Sequence, residues 1–492
     1  MAVNDTGVDY THPDLYKNIW LNQDEIPRDI RRILEDVDAD GLITFWDLND
    51  PVNQGPGKIA DLNGTGFIDG GDLIRAVSEG GWADGRDDGR NGFIDDLIGW
   101  DFFNNDNDPM DGDGHGTRVA GILGAVGNNG LGVVGVNWQI QIMPVKIFSD
   151  AGVLSLSAIA PAVTYGSSNG ARVSNNSYGI PADLVPPELI AEVRAAIEDA
   201  GTRGYLFVCG AGNEGLDNDV VPRIPSSLDL ENIIVVAATD KRDRLANFAG
   251  YGATTVDLGA PGVKIWSTVP GGDYRFDSGT SFANPQVVGT AALILSLNPN
   301  LSAEEVKALI LDNVDVVPDL VGKTVTGGRL NIFKAVSATP LPLMASSVGT
   351  STETAPLTTQ QVAPLWTEAL ARWQAAGVDT TGLGNLQVHI ADLSDAMLGL
   401  ASGNTIWLDA NAAGWGWFVD PTPHDDSEFT TPGDQGEQNR MDLLTVLEHE
   451  VGHILGFDHQ ETGVMEDTLA TGTRKTPTGQ WTVQDSALLD LV

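Results

Sequence analysis

Residues 278–295, SGTSFANPQVVGTAALIL, place a serine directly before a long apolar stretch of helical character. Ser281 therefore lies at the N-terminus of a predicted helix, where backbone N–H groups without helical partners can donate to an anion. A serine hydroxyl is a weak nucleophile at neutral pH, and it needs a nearby base and a group that orients this base. A serine in this position alone would be an ordinary helix cap, so the rest of the chain decides its role.

An acid and a histidine precede this serine in the chain. Asp5 follows a short apolar stub in AVNDTGVDYTHPDL, and His115 begins a helical pattern in DGDGHGTRVAGIL. The order Asp, His, Ser supplies an orienting acid, a general base and a nucleophile. His12 is the other histidine in these segments, and we interpret it as structural because His115 fits the position of the base better.

Two further segments complete a pattern. They are CGAGNEG, which contains Asn213, and SNNSYG at residues 174–179. Together with the Asp, His and Ser blocks, they resemble the signature regions of the subtilisin-like serine peptidases (subtilases), over nearly all of residues 1–337. The resemblance implies an endopeptidase of proteins or peptides and an extracellular location. It implies that the Asn213 side chain binds the oxyanion, and that the residue before the scissile bond (P1) lies beside Ser177, Tyr178 and Gly179.

The same region alternates apolar, β-branched runs such as NIIVVAATD with helical patterns such as PPELIAEVRAAIEDA. Short buried strands that alternate with helices predict a parallel sheet in an α/β domain. This domain would span residues 1–337.

The first predicted strand is short. Only four residues precede Asp5, and no signal peptide pattern is visible in this chain. Relative to the family, we expect the domain to be N-terminally truncated. Since a four-residue strand is marginal, we also expect the Asp5 carboxylate to be weakly held.

The composition restricts the classes of function. The 492 residues carry a formal net charge of −41, which excludes unspecific binding to nucleic acid or anionic membranes as a main role. No apolar run reaches transmembrane length. Cys209 is the only cysteine, so an intramolecular disulfide is impossible. The acidic excess favours bound Ca²⁺, whose preferred ligands are oxygens. The oligomeric state stays open.

Residues 20–110 form an acidic, glycine-rich insertion with a repeated pattern. DVDADGLITFWD and DLNGTGFIDGGD carry acidic or polar residues at alternating positions before a glycine, as in EF-hand calcium loops, and DDGRNGFIDDLI is a weaker copy. The alternatives are a solvated acidic loop and a dockerin-like, partner-binding module. The predicted calcium ligands are Asp36, Asp38, Asp40 and Asp47 in the first loop, Asp61, Asn63, Thr65, Asp69 and Asp72 in the second, and Asp87, Asn91 and Asp95 in the third.

A second domain follows the first. Residues 338–360 are rich in Pro, Ser and Thr and predict a linker. Residues 361–492 begin with an amphipathic helix pattern, continue with strand-like LQVHIADL and NTIWLDA, and reach a second helix in NRMDLLTVLEHEVGHILG. This pattern predicts a small α+β domain.

The second helix carries a metal-site pattern, HEVGHILGFDH. His449 and His453 are four residues apart and share one face of a helix, Gly456 allows the chain to turn, and His459 becomes a third ligand. Glu450 is placed to activate a metal-bound water.

This motif, followed by Met465, resembles the metzincin zinc peptidases, in particular their matrixin-like branch. The resemblance implies a zinc endopeptidase with ligands His449, His453 and His459. The competing hypothesis is non-enzymatic: a silent calcium- and zinc-binding adhesion or assembly module on a disabled subtilase.

Overall fold

The computed structural model describes residues 1–55, 58–349, 355–383, 386–393, 396–402, 405–430, 436–457, 459–460, 462–478 and 481. The chain forms two compact units, Met1–Ala338 and Thr339–Val492. Each unit has a hydrophobic core of its own.

The described part of the first unit is built on a mainly parallel sheet. The strands of this unit, inside and outside the large sheet, are β1 (Ala2–Asp5), β2 (Trp100–Asp101), β3 (Met143–Lys146), β4 (Val173–Asn176), β5 (Ile180–Pro181), β6 (Leu206–Gly210), β7 (Arg223–Ile224), β8 (Ile233–Thr239), β9 (Leu258–Pro261), β10 (Ile265–Val269), β11 (Asp273–Asp277), β12 (Asp315–Val316) and β13 (Gly328–Arg329). Nine of them form one sheet in the order β12-β13-β9-β8-β6-β4-β1-β3-β2. Only β12 and β13 pair antiparallel within it, while β5–β7 and β10–β11 form separate antiparallel pairs.

Helices cover both faces of this sheet. They are α1 (Arg28–Arg31), α2 (Phe45–Leu48), α3 (Gly70–Leu73), α4 (His115–Gly124), α5 (Ile159–Ser168), α6 (Pro187–Gly201), α7 (Thr280–Leu297), α8 (Ala303–Asp312) and α9 (Ile332–Ser337). Along β6, Leu206 and Val208 pack in the core shared with α4, α7 and α8, whereas Phe207 and Cys209 pack in the core shared with α5 and α6. Burial of alternate side chains on opposite faces explains why these strands are apolar throughout.

The short first strand lies in the middle of the sheet. β1 pairs in parallel with β3 on one side and with β4 on the other, and Asp5 is only 1% exposed. The expectation of a weakly held Asp5 carboxylate is therefore wrong. A central strand is held by hydrogen bonds to neighbouring strands on both sides, so a short strand in this position can still fix its residues firmly.

The acidic insertion packs onto the first unit. Ile43, Phe45, Leu48, Ile68 and Leu73 are buried in the same core as the strands of the large sheet. The insertion is thus an integral part of this unit, and its short helices α2 and α3 begin with capping boxes.

The second unit combines a small mixed sheet with two long helices. Its elements are β14 (Pro342–Ala345), α10 (Thr359–Ala375), β15 (Gln387–Ala391), β16 (Met397–Ser402), β17 (Thr405–Asp409), β18 (Trp417–Phe418), α11 (Ser427–Thr430), β19 (Met441–Asp442), α12 (Leu443–Ile454) and β20 (Thr468–Leu469). The sheet order is β15-β17-β16-β14-β20, and α12 packs against α10 and β16.

Part of the predicted linker is a strand. Residues 342–345 form β14, which pairs antiparallel with β16 and parallel with β20. Leu343 and Ala345 are buried, and Met344 between them is half-buried. The prediction of a linker over 338–360 is wrong for this segment because the prolines concealed the alternating pattern of a strand.

Among the described residues, no helix is both long and apolar enough to cross a bilayer.

Candidate active sites

Asp5 and His115 meet at the carboxyl-terminal edge of the large sheet. Asp5 ends β1, and His115 begins α4. His115 Nδ1 lies 2.7 Å from Asp5 Oδ1, and the Thr6 N–H donates to the same oxygen at 2.8 Å. A Cβ at Gly116 would lie 2.0 Å from the Gly7 carbonyl oxygen, so a glycine is required for α4 to approach β1 this closely.

The Asp5 carboxylate controls the protonation of His115. Burial lowers the pKa of His115, but the charge and hydrogen bond of Asp5 outweigh burial, and the net pKa is raised above its ordinary value. The structure brings together the two residues that the sequence analysis paired, whereas the sequence analysis missed Asp111. Asp111 accepts bonds from Thr6 Oγ1 (2.8 Å) and the Gly114 N–H (2.7 Å), which fixes the turn before His115. The acid four residues before the histidine in DGDGHGT was the available signal.

Ser281 lies in the first turn of α7 and lines the same cleft as His115. Its Oγ is 3.5 Å from the Ser177 carbonyl oxygen, and among the described residues no hydrogen bond joins it to His115. Catalytic hydrogen bonds are often long in a ligand-free site and tighten when substrate binds. The cleft has a volume of about 410 Å³.

Asn213 lies beside the serine. The Thr280 N–H donates to Asn213 Oδ1 at 2.9 Å, which leaves the amide Nδ2–H groups of Asn213 as donors for substrate. Ser177, Tyr178 and Gly179 also line the cleft, and the Tyr178 hydroxyl donates to Asn176 Oδ1 at 3.1 Å. The predicted base, nucleophile, oxyanion group and P1 wall therefore line one cleft, and the predicted acid, Asp5, contacts the base.

A model of the subtilase family (Peptidase_S8) matches residues 1–337. The chain belongs to the subtilase family. Its first unit has the α/β architecture with a parallel-sheet core of that family.

Three curated relatives are similar to this subtilase. It is 39% identical over 241 residues to the thermophilic serine proteinase of Bacillus sp. (strain AK1), covering 49% of this chain and 56% of the relative. It is 36% identical over 238 residues to thermitase of Thermoactinomyces vulgaris, covering 48% and 80%. It is 28% identical over 354 residues to subtilisin-like protease 1 of Plasmodium vivax, covering 68% and 47%. The chain thus spans about half the length of the first and third relatives.

A solved structure, of a cold adapted subtilisin-like serine proteinase, is 31% identical with a TM-score of 0.40, covering 47% of this chain and 78% of that one.

The three acidic loops share one backbone feature. In each, the glycine at position 6 has a left-handed conformation, with φ of 89°, 92° and 95°, and donates its N–H to the aspartate at position 1. The bonds run from Gly41 to Asp36 (2.8 Å), from Gly66 to Asp61 (2.8 Å) and from Gly92 to Asp87 (2.9 Å).

Only the first loop gathers three carboxylates among the described residues. Oxygens of Asp36, Asp38 and Asp40 lie within 4.8 Å of one another, and Asp36 Oδ1 is buried without a hydrogen-bond partner in the described part. Desolvation raises the pKa of Asp38, and the charges of the neighbouring aspartates raise it further. A hydrogen bond from the Asp40 N–H acts in the opposite direction. A Ca²⁺ ion fits this donor set. Asp47 is not part of this group of three, and its oxygens accept N–H bonds from Val37 and Thr44, each at 2.8 Å.

The second loop is held by internal hydrogen bonds. Asp69 accepts from Asn63 Nδ2 and Thr65 Oγ1, both at 2.9 Å, and Asp72 accepts the Leu62 N–H at 2.7 Å. Burial, then the charge of Asp72, raises the pKa of Asp69 to about 6. The carboxylates of this loop, as described, do not converge on one point.

The third loop differs from the prediction. Asp95 accepts the N–H groups of Asp84 and Gly85, at 2.8 Å and 3.0 Å, so it stabilises a neighbouring turn. Asn91 Nδ2 donates instead to Asp96 Oδ2 at 3.0 Å. In the described structure Asp95 thus contacts the turn at Asp84 and Gly85, and it is Asp96 that contacts Asn91. Two consecutive aspartates made the register ambiguous in the sequence.

In the second unit, three histidines converge. His449 Nε2 lies 2.9 Å from His453 Nε2 and 3.2 Å from His459 Nε2. His449 Nδ1 lies 2.8 Å from the Val464 carbonyl oxygen, and His453 Nδ1 lies 2.9 Å from that of Phe457. Because a carbonyl oxygen only accepts, each neutral ring carries its proton on Nδ1.

The Nε2 lone pairs of His449 and His453 therefore face each other, an arrangement that a shared cation would stabilise. Tetrahedral Zn²⁺ with bonds of about 2.05 Å separates ligand nitrogens by roughly 3.3 Å, close to the observed distances. Burial, then the charge of His453, lowers the pKa of His449 well below its usual value, which keeps the ring neutral. The donor set fits zinc.

Glu450 is fully buried next to β16. A Cβ at Gly399 would lie 2.7 Å from Glu450 Oε1, so this glycine leaves room for the carboxylate. Burial raises the pKa of Glu450 well above its usual value, while the backbone amides of Leu343 and Ala401 lower it less. These amides approach the carboxylate but do not reach hydrogen-bond geometry. Leu343 belongs to β14, which therefore helps to enclose Glu450.

Proposed function

We propose that this subtilase is a serine endopeptidase with Ser281 as the nucleophile. The main support is the 2.7 Å contact between His115 and Asp5, because His115 lines the same cleft as Ser281. Ser281 Oγ bonds to the substrate carbonyl carbon while its proton passes to His115 Nε2. The carbonyl oxygen becomes an oxyanion, to which Asn213 Nδ2 and the Ser281 N–H donate.

The rest of the cycle uses the same groups. His115 gives its proton to the leaving amine, the peptide bond breaks, and an acyl group remains on Ser281. Water, deprotonated by His115, then hydrolyses this ester. Asp5 holds the imidazole in the required tautomer throughout. The substrates are proteins or peptides, with P1 beside Ser177, Tyr178 and Gly179, and family resemblance favours an extracellular location.

The second candidate function is that of a zinc-dependent peptidase in the second unit. His449, His453 and His459 would hold the metal, and the opposed Nε2 lone pairs support this assignment. Zn²⁺ lowers the pKa of a bound water. Glu450 is assigned as the general base of this candidate function.

Calcium has a structural role in this proposal. The carboxylates of Asp36, Asp38 and Asp40 would bind one Ca²⁺, which offsets their repulsion. The family resemblance also supports calcium, and the acidic insertion precedes the turn that presents His115.

Casein hydrolysis by the wild type, Ser281→Ala, Glu450→Ala and the double variant tests both functions. We expect Ser281→Ala to remove the serine activity, Glu450→Ala to remove any zinc-dependent activity, and the double variant to be inert. Equal inactivity of all four folded proteins would favour the silent binding module. Chelation alone would not separate the functions because it removes calcium as well as zinc.

A further inference from the structure

The cleft beside Ser281 contains a buried arginine. Arg223 lies on β7, which pairs with β5 directly after Gly179. It is 5% exposed, and it lines the same cleft as Ser281, Asn213 and Gly179.

The Arg223 side chain passes between two segments that flank the cleft. A Cβ on Gly212 would lie 2.9 Å from Arg223 Nε and 3.2 Å from its Cδ, and one on Gly179 would lie 3.5 Å from Nε. The gap between the segments is therefore filled by the arginine. Space that a long substrate side chain could otherwise enter is already taken.

Polar contacts fix the guanidinium in this position. Arg223 Nη2 donates to the Gly179 carbonyl oxygen at 2.7 Å, and Nη1 lies 2.9 Å from Glu214 Oε2. Glu214 Oε2 also accepts the Asn213 N–H at 3.0 Å, so the arginine is connected to the residue assigned to the oxyanion. A planar guanidinium held at two points is well suited to shape a pocket.

One donor of this arginine is unused. Arg223 Nε is buried, and no hydrogen-bond acceptor for it lies within the described residues. A buried donor without a partner is unfavourable, and a substrate oxygen would satisfy it. Glu214 neutralises the charge but has a half-exposed side chain, so a substrate oxygen that displaces the atoms covering Nε would meet a donor without a large excess of positive charge.

We infer that Arg223 is the specificity-determining residue of the P1 pocket. It makes the pocket shallow and favours peptides whose P1 side chain is short and carries an oxygen acceptor, such as Asn or Asp, over aromatic or long aliphatic P1 residues. The inference rests on the proposed serine peptidase function. A site that hydrogen-bonds its substrate rejects analogues without the partner group.

The test is a series of peptide anilides that differ only at P1 (Asn, Asp, Leu, Phe). For the wild type, we expect kcat/KM to be highest for Asn and lowest for Phe. In Arg223→Ala, we expect kcat/KM for Phe to rise at least about tenfold and that for Asn to fall by about tenfold or more. Highest activity of the wild type on Phe or Leu, or an unchanged preference in the variant, would overturn the inference.

Two further variants separate shape from hydrogen bonding. Arg223→Met keeps an unbranched side chain about as far as the position of Nε, the part that lies between Gly179 and Gly212, and removes the donors. The preference for Asn should therefore disappear while Phe stays poorly cleaved. This variant also serves if Arg223→Ala does not fold. Glu214→Gln keeps Arg223 and removes the neutralising charge, and it should raise the ratio of Asp to Asn cleavage. An unchanged ratio would contradict the role given to Glu214.

The rate at which a small fluorophosphonate labels Ser281 serves as the control, because this reagent carries no P1 side chain. If Arg223→Ala is labelled at the same rate as the wild type and its P1 preference is unchanged, the role given to Arg223 is refuted and the proposed peptidase function is not. Failure of the wild type to be labelled would instead refute the proposed function.

Discussion

Among the individual residues, Asp5 has the largest effect on the chemistry of the cleft because it acts directly on His115. The Asp5 carboxylate is almost fully buried, and the same oxygen accepts from Thr6 and contacts His115. Burial alone would lower the pKa of the imidazole, and the aspartate reverses this direction. A buried carboxylate beside His115 therefore both orients the ring and stabilises its protonated form during the reaction.

Asp5→Asn should lower kcat by about 10⁴-fold, because an amide favours the wrong imidazole tautomer. It should also move the acid limb of the pH profile to lower pH. Neutral His115 is the base, so activity falls as pH drops through its pKa, and without the Asp5 charge the lowering effect of burial remains. The measurement is kcat/KM of a peptide anilide between pH 4 and 9, a range of roughly 2.5 units on either side of the ordinary histidine pKa of about 6.5. An unchanged acid limb would contradict the electrostatic role of Asp5.

The individual site residues differ in how far they could be predicted from the sequence. Asp5, His115, Ser281 and Asn213 stand in short motifs, so their chemistry was recognisable before their positions were known. Arg223 stands in no motif, and the role proposed for it follows only from its contacts with Glu214 and with Gly179, 44 residues away in the chain.

Among the secondary-structure elements, each of the first two acidic loops is joined to the short helix that follows it. In the first two loops, position 9 is the N-cap and position 12 the third residue of α2 or α3, joined in a capping box. Loop and helix therefore stabilise each other. The repeat was visible in the sequence, but the backbone N–H groups that Asp47 and Asp95 contact were not.

Calcium should raise the melting temperature of the first unit, since a ligand that binds only the folded state stabilises it by about 2.7 kcal/mol at a hundredfold excess over Kd. Asp38→Asn should reduce this shift, because it removes one of three converging carboxylates. Asp29→Asn changes an exposed acid outside the loops and should respond to calcium like the wild type. Scanning calorimetry over a calcium titration measures the shift. Equal shifts in all three proteins would exclude the first loop as the site.

At the scale of the whole molecule, the chain combines two units that each contain one candidate active site. The boundary at Ala338 places Ser281 and His449 in different cores, so two hydrolytic mechanisms on one chain are physically compatible. The α/β first unit was predictable because alternating buried strands and helices leave a strong pattern. The extent of the second unit was not, since β14 lies in a segment whose composition resembles a linker.

Leu343→Ala should destabilise the second unit by about 2–5 kcal/mol, the usual cost of a large-to-small change in a core. Leu343 is 1% exposed within the core of that unit, so the first unit should melt as before. Val348→Ala is the matched control, because Val348 is 56% exposed in the same segment. Calorimetry with activity as a marker of the first unit separates the transitions. A lowered transition of the first unit would argue against separate cores.

The most direct test of the central claim is to label the folded chain with a fluorophosphonate and locate the adduct by peptide mass spectrometry. We expect one adduct, on Ser281, that forms rapidly near neutral pH. Its formation should be strongly slowed in Asp5→Asn, and it should be absent in Ser281→Ala. A well-folded wild type that carries no adduct on Ser281, or carries it on another residue, would contradict the assignment of Asp5, His115 and Ser281 as a working catalytic triad.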